Sequence, residues 1–145
     1  MKAVIQRVGK TSLYVGGKLI SEIPFGLAVY LGIKSGDTEI QAEMTAKKIS
    51  KLRVFEDAAG KMNLSLAEVG GEVLLISQFT LYGDCSHGNR PSFTEAERPE
   101  KASGLYEYTA ELLSKEGITV KKGIFGADMK IEQYNDGPVT IIYEI

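Results

Sequence analysis

Two short segments carry side chains whose types and spacing point to chemistry. In Ser77-Gln78-Phe79-Thr80-Leu81, three polar side chains interrupt the otherwise apolar stretch EVLLISQFTLY at 72–82. In an extended strand, Ser77 and Phe79 face one way while Gln78 and Thr80 face the other. Buried hydroxyls and amides cost free energy unless they are hydrogen-bonded, so the cluster marks either a site or a strand with one wet face. The second segment is Asn135-Asp136-Gly137-Pro138-Val139-Thr140. Glycine before proline is sterically permissive, and X-Pro bonds are where cis peptides occur. A cis bond here would turn the backbone sharply and aim successive carbonyls in one direction. The competing reading is a plain hairpin turn.

Other chemistry is thinly supplied. Cys85 is the single cysteine and His87 the single histidine. One cysteine forms no internal disulfide and no cysteine-based zinc cage. His87, between Ser86 and Gly88, reads as a surface histidine, and nothing marks Cys85 as a reactive thiolate. No phosphate loop ending in Lys-Ser or Lys-Thr and no GxSxG elbow occurs. Gly123-Ile124-Phe125-Gly126 is not a dinucleotide fingerprint. No metal site and no cofactor is expected. Basic residues gather at Lys47, Lys48, Lys51 and Arg53, at Arg90 and Arg98, and at Lys121 and Lys122, each readable as a solvated face or a phosphate footprint.

The elements that must position these residues follow from length and pattern. With 145 residues, 43% hydrophobic and 25% charged, the chain has the size and composition of one globular domain over 1–145. Seventeen basic residues against nineteen acidic ones leave a formal charge of −2, so any nucleic acid contact must be a local patch. The apolar run in MKAVIQRVGK is too short for a signal peptide, and no stretch approaches the roughly 20 apolar residues of a membrane helix. A cytoplasmic protein with no membrane partner is the expectation.

Residues 2–8 read as a first strand, 11–15 and 18–23 as a hairpin about Gly16-Gly17, and 27–33 as a buried strand. A helix capped by Asp37 or Thr38 carries Ala42, Ala46, Ile49 and Leu52 at helical spacing. Arg53-Val54-Phe55 starts a strand ended by the Ala59-Gly60 turn. Residues 72–82 give the strongest strand signal, and 83–98 form a polar loop. Pro99 opens a second helix with Ala102, Leu105, Thr109, Leu112 and Leu113 on one face, stopped by Gly117. Strands follow at 118–122, 128–134 and 139–145. The sum is an α+β domain: a single mostly β body, barrel-like or strongly curved, covered by two main helices, rather than a βαβ repeat.

Taken together, the motifs resemble the D-aminoacyl-tRNA deacylases, and the likeness runs from end to end. Ala3-Val4-Ile5-Gln6-Arg7-Val8 looks like the family's opening strand. Ser77 to Leu81 matches its SQFTL motif and Arg90-Pro91-Ser92-Phe93 its RPSF segment. Gly126-Ala127-Asp128-Met129 and Asn135 to Thr140 match its two C-terminal motifs. The chain departs from the pattern at Cys85-Ser86-His87 and at Gln133-Tyr134, which are expected to bear only on loop contacts with tRNA.

The resemblance implies a homodimer that hydrolyses the ester between a D-amino acid, or glycine, and the 3′-terminal adenosine of tRNA. The active site would lie at the dimer interface. Ser77, Gln78, Phe79 and Thr80 would form the catalytic set. Gly137 and Pro138 would enter the partner's pocket as a cis dipeptide held by Arg7, and Phe125, Ala127, Met129 and Asn135 would help bind substrate. Taken alone, Arg7 reads as an exposed charge on an edge strand.

Two mechanisms stay open. Thr80 is the only motif residue able to attack covalently, but no base lies beside it in the sequence. Alternatively, backbone N–H groups around Phe79 and Thr80 form an oxyanion hole while water attacks, assisted by the ribose 2′-hydroxyl. The rival functions are a tRNA-binding module without chemistry and a purely structural β-rich dimer.

Overall fold

A computed structural model describes residues 1–145. Three strands come first: β1 (Lys2–Val15), β2 (Lys18–Ile23) and β3 (Gly26–Gly32). Helix α1 (Glu39–Lys51), strands β4 (Arg53–Glu56) and β5 (Met62–Ser65), and the short helix α2 (Leu66–Val69) follow. Then come β6 (Glu72–Ser77), a 3-10 turn over Phe79–Tyr82, helix α3 (Pro99–Lys115), β7 (Val120–Lys122) and β8 (Met129–Glu144).

β1 is the spine. The expected strands 2–8 and 11–15 are one element, and both of its edges are paired. On one edge β2 and β3 form a single return path, with Thr11 opposite Ile23, Val8 opposite Gly26 and Lys2 opposite Gly32. On the other edge β8 runs antiparallel along β1 from Val15 opposite Met129 to Lys2 opposite Glu144. The expected pair of C-terminal strands is therefore one strand. Its two parts follow the same neighbour in the same direction, so 135–138 is not a hairpin turn.

β6 pairs parallel with β3, and β7 parallel with β6. Parallel neighbours need long crossovers, which α1 through α2 and then α3 supply. The sequence pattern pointed away from βαβ units, because the short β4–β5 ribbon and the long polar loop obscure their alternation.

The sheet buries both faces. Ala3, Ile5, Val29, Leu31, Val73 and Leu75 meet Ala42, Ala46 and Ile49 of α1 and Leu105, Tyr106 and Leu113 of α3 in the larger core. Val8, Leu13, Ile23, Ala28, Leu74 and Ile76 form a second core on the other face. The strong curvature that encloses it brings β2 round toward β7, where the Ser21 hydroxyl donates to the Lys122 carbonyl at 2.6 Å. Each fully buried Leu, Ile or Val contributes roughly 1.5–3 kcal/mol. No helix is long and apolar enough to cross a membrane.

Local signals fix the helix ends. Thr38 caps α1, its hydroxyl accepting from Ile40 N–H at 3.3 Å, and Gln41 completes a capping box. Asp37 instead accepts from the Met1 ammonium at 3.0 Å and from Lys34 N–H at 2.7 Å. Glu97, just before α3, accepts from Arg98 N–H at 2.9 Å, Lys101 Nζ at 3.0 Å and Gly36 N–H at 3.2 Å. These donors, the Arg98 N–H foremost, hold its carboxyl down to about 2.

Two predictions follow from this packing. Gly26 has φ +143°, and a Cβ there would lie 1.9 Å from the Glu72 carbonyl oxygen. Gly26→Ala must part β3 from β6 and should cost on the order of 3 kcal/mol or more, measured as the shift in urea midpoint; a shift under about 0.5 kcal/mol contradicts the packing. Glu97 has a folded-state pKa below its unfolded one, so its contribution is complete above pH 4.5 and fades as pH falls toward about 2. The stability gap between wild type and Glu97→Gln should narrow across that window. A gap independent of pH contradicts the assignment.

Candidate active site

The site begins where β6 stops. The strand does not run to Tyr82 as its composition suggests; it ends at Ser77, and Phe79–Tyr82 coil into a 3-10 turn. Gln78 N–H makes the last sheet bond, to the Leu31 carbonyl at 2.9 Å. The turn then closes through Leu81 N–H to the Gln78 carbonyl at 3.3 Å and Gly83 N–H to the Thr80 carbonyl at 3.0 Å. Alternation past Ser77 therefore fails: Gln78 and Thr80 do not share a strand face. Instead the Gln78 side-chain amide donates to the Thr80 hydroxyl.

This turn leaves the N–H groups of Phe79 and Thr80 without an acceptor in the chain. They open a short helical turn, where no preceding carbonyl is available to them. The Thr80 hydroxyl receives an amide proton and has no basic acceptor for its own. A hydroxyl so placed lacks the adjacent base that activates a nucleophile.

Two further segments wall the cleft. Asp84 and Ser92 exchange backbone hydrogen bonds at 2.8 and 2.9 Å and close the polar loop. That closure sets Phe93 against Phe79, edge to face, with ring centroids 5.1 Å apart. Opposite, Ala127 N–H bonds the Ile124 carbonyl at 3.2 Å in a tight turn. Phe125 there packs on Tyr106 at 5.9 Å. The Tyr106 hydroxyl, tied to the Leu75 carbonyl at 2.8 Å, anchors this wall to β6.

The enclosed volume is about 700 Å³, within the range of small-molecule sites. Ser77, Gln78, Phe79, Phe125, Ala127 and Met129 all line it. Thr80 adjoins it through Gln78. Sequence reading missed Phe93, Arg98 and Asp128, which also line it. Phe93 lay within the quoted RPSF segment, so its signal was present; Arg98 carried none beyond its charge.

The remaining candidates assemble elsewhere. Between Asn135 opposite Val8 and Thr140 opposite Gln6, β8 has more residues than β1, and the surplus is extruded as a corner at Asp136–Val139. Its Gly137–Pro138 peptide bond is cis. Gly137 has φ +146°, and a Cβ there would sit 2.4 Å from Val139 N, so only glycine fits this backbone. Asn135, Asp136, Gly137 and Pro138 are exposed, and none lines the cleft of its own chain.

Arg7 corrects a sequence expectation. It is not an exposed charge on an edge but 8% exposed, on a strand paired along both edges. It takes the position after Met1, Ala3 and Ile5 on the face turned to the larger core. Its Nε donates to the Asp136 carbonyl at 3.1 Å and lies 3.3 Å from the Asp136 carboxylate. Its Nη1 donates to the Val54 carbonyl at 2.8 Å. Gln133 corrects another expectation, since its amide donates to Asn135 and so does touch a motif position. Cys85 and His87 are exposed on the polar loop.

Comparison with known proteins accords with this geometry. A chain described as "c-Myc DNA Unwinding Element Binding Protein" superposes with a TM-score of 0.93 at 44% identity, covering 100% of this chain and 99% of that one. A chain described as "a probable eukaryotic D-amino acid tRNA deacylase" superposes at 0.85 and 17% identity, covering 99% of this chain and 98% of that one, and so shares the fold. A Myxococcus xanthus protein named D-aminoacyl-tRNA deacylase is 52% identical over 99% of this chain and 94% of its own length. A Bacillus cereus protein of the same name is 51% identical over 99% of both. The family model described as D-Tyr-tRNA(Tyr) deacylase matches residues 4–144. With identity near one half sustained along nearly the whole of each relative, the chain belongs to the D-Tyr-tRNA(Tyr) deacylase family.

Proposed function

We propose that this chain hydrolyses the ester joining a D-amino acid, or glycine, to the 3′-terminal adenosine of tRNA, acting in the cytoplasm as a homodimer without a cofactor. The observation that carries the reading is the separation of two incomplete halves. A cleft holding Ser77, Gln78 and Phe79 lies in one part of the chain, and an outward corner at Gly137-Pro138 lies in another. In the proposed dimer each corner enters the partner's cleft, and neither chain has a complete site alone.

The chemistry rests on main-chain groups. The terminal adenosine and its aminoacyl group occupy the cleft, with the aromatic rings of Phe79 and Phe93 as apolar surface. The ester carbonyl faces the free N–H groups of Phe79 and Thr80, which stabilise the oxyanion as it forms. Water, assisted by the ribose 2′-hydroxyl, adds to the carbonyl carbon. The tetrahedral intermediate then breaks its bond to the ribose 3′-oxygen. That oxygen takes up a proton, and tRNA and the free amino acid leave. Gln78 holds the Thr80 hydroxyl in place, and Thr80 does not form an acyl-enzyme.

Selection is by rejection. D and L substrates differ in the direction their side chain leaves the α-carbon. The partner's corner carbonyls stand where an L side chain would project. Glycine has no side chain and passes. Discrimination through a clash is a repulsive device, and a rigid main chain makes it steep. Arg7 supplies the rigidity, through the bonds it makes to Asp136 and Val54.

D-Tyr-tRNA should lose its ester at least about a hundredfold faster than L-Tyr-tRNA, a gap comparable with the discrimination that shape alone gives a binding pocket. Following both by acid-precipitable label checks this; equal rates contradict the chiral part, and tRNA affinity without ester loss contradicts catalysis.

Thr80→Ala should retain activity to within about tenfold, whereas a 2′-deoxy terminal ribose should slow the reaction on the order of a hundredfold or more, the scale of a lost transition-state partner. An acyl-enzyme trapped by rapid quench, or abolition of turnover by Thr80→Ala with the fold intact, overturns the water mechanism.

A further inference from the structure

The corner is gripped from a second side. Arg7 holds Asp136 from the face turned to the larger core. Gln6, its neighbour on β1, points to the opposite face, because successive strand residues alternate. There a ladder of side-chain hydrogen bonds crosses three strands. The Tyr30 hydroxyl of β3 donates to Gln133 Oε1 at 2.8 Å. Gln133 Nε2 donates to Gln6 Oε1 at 2.9 Å and to Asn135 Oδ1. Gln6 Nε2 in turn donates to the Thr140 hydroxyl at 3.2 Å.

The end points of this ladder matter. Asn135 and Thr140 are the last β8 residues paired to β1 before and after the corner. They are the two feet on which it stands. Each glutamine uses both its carbonyl and its NH₂ group, so each amide is held in a defined orientation. Tyr30 is rooted in the sheet and packs against the second core. The ladder thus refers both feet of the corner to the central strands, independently of Arg7.

Resting on the reading of the corner as a stereochemical barrier, we propose that Gln6 and Gln133 are positioning residues that set the corner's place and hence the strength of chiral rejection. They touch neither the ester nor the cleft of their own chain. Their effect is transmitted through Asn135 and Thr140. Once the ladder is cut, Arg7 still holds Asp136, but the feet can shift on β1, and the space denied to an L side chain opens.

The test is the ratio of L-Tyr-tRNA to D-Tyr-tRNA hydrolysis in the full-length protein, with Gln6→Met, Gln133→Met and the double variant. Methionine keeps side-chain length and removes the bonds its own position makes, those to Gln133 and Thr140 for Gln6 and those to Tyr30, Gln6 and Asn135 for Gln133. Each single variant should raise the ratio about tenfold, and the double variant more than either but less than the product of the two, since both cut the shared Gln6–Gln133 bond. The rise must come partly from faster L-Tyr-tRNA hydrolysis. A purely structural role lowers both rates together and leaves the ratio where it was; that result, with melting temperature and molecular mass unchanged or lowered, overturns the proposal.

Arg7→Lys, measured alongside, separates the two levels. If it raises the ratio and the glutamine variants do not, the ladder is unimportant and the corner reading stands. If none of the three positions moves the ratio, the corner is not the barrier and both readings fail. Tyr30→Phe, which removes only the outer rung, should give a smaller rise than Gln133→Met; an equal or larger rise would place the control in Tyr30 rather than in the glutamines.

Discussion

One mismatch of register governs this molecule. β8 is bound to β1 along nearly the whole of that strand, yet Gln6 to Val8 on β1 stand opposite Asn135 to Thr140 on β8. The surplus backbone has nowhere to go but outward. Were it free, it would be an ordinary mobile bulge. Arg7 prevents that by joining two carbonyls distant in sequence, those of Asp136 and Val54. A guanidinium suits the task because its donors lie in a fixed planar fork and keep their charge. Its burial makes the arrangement demanding, since an unsatisfied charge at 8% exposure would be costly. The corner's shape is thus bound to the packing beneath it.

The same economy marks the cleft. Its charged groups are Glu97, Arg98 and Asp128, and Glu97, whose carboxyl is held down to about 2 by the donors it accepts from, is not poised as a base near neutral pH. Its neutral polar side chains are Ser77 and Gln78, with Thr80 beside them and main-chain N–H groups released by a turn. Catalysis by fixed dipoles needs no titration at the moment of reaction, and the reorganisation it avoids is a large share of many barriers. The proposed selectivity uses the same material: carbonyls rather than side chains. A site of main chain tolerates change in its side chains but depends heavily on whatever holds the backbone still. The role proposed for Gln6, Arg7 and Gln133 follows from that dependence.

The sequence revealed some of this and hid the rest for physical reasons. Helices α1 and α3 were legible because Thr38, Pro99 and Gly117 punctuate clear 3.6-residue patterns. The curved sheet under two helices was legible from runs such as 27–33. The end of β6 was not. SQFTL has the composition of a strand, and only Gly32, which lets the turn sit on β3 with Gln78 O 3.0 Å from where a Cβ would be, reveals that the chain bends. Arg7 reads as an exposed charge on an edge strand because nothing in the sequence shows that β8 pairs along the other side of β1. The need for a charge inside the core appears only when Asp136, 129 residues away, is seen beside it. Gln133 stands outside any motif and carries no local signal, although its bonds reach Asn135 within one. Grouping Ser77, Gln78, Phe79, Phe125, Ala127 and Met129 required the motif resemblance, since no periodicity links residues so far apart.

The proposed sharing of the site between two chains is open to one direct measurement. A cleft-disabled chain such as Phe79→Pro should be inactive alone, whereas a corner-disabled chain such as Gly137→Val should hydrolyse L-Tyr-tRNA as well as D-Tyr-tRNA. Co-refolded in equal amounts, half the dimers are mixed, and each mixed dimer holds one intact cleft facing one intact corner. L-Tyr-tRNA hydrolysis per Gly137→Val chain is then predicted to fall to about half, with D-Tyr-tRNA hydrolysis per chain unchanged, because half of the intact clefts now face an intact corner. No fall, with mixed dimers demonstrated by native mass spectrometry, would contradict it.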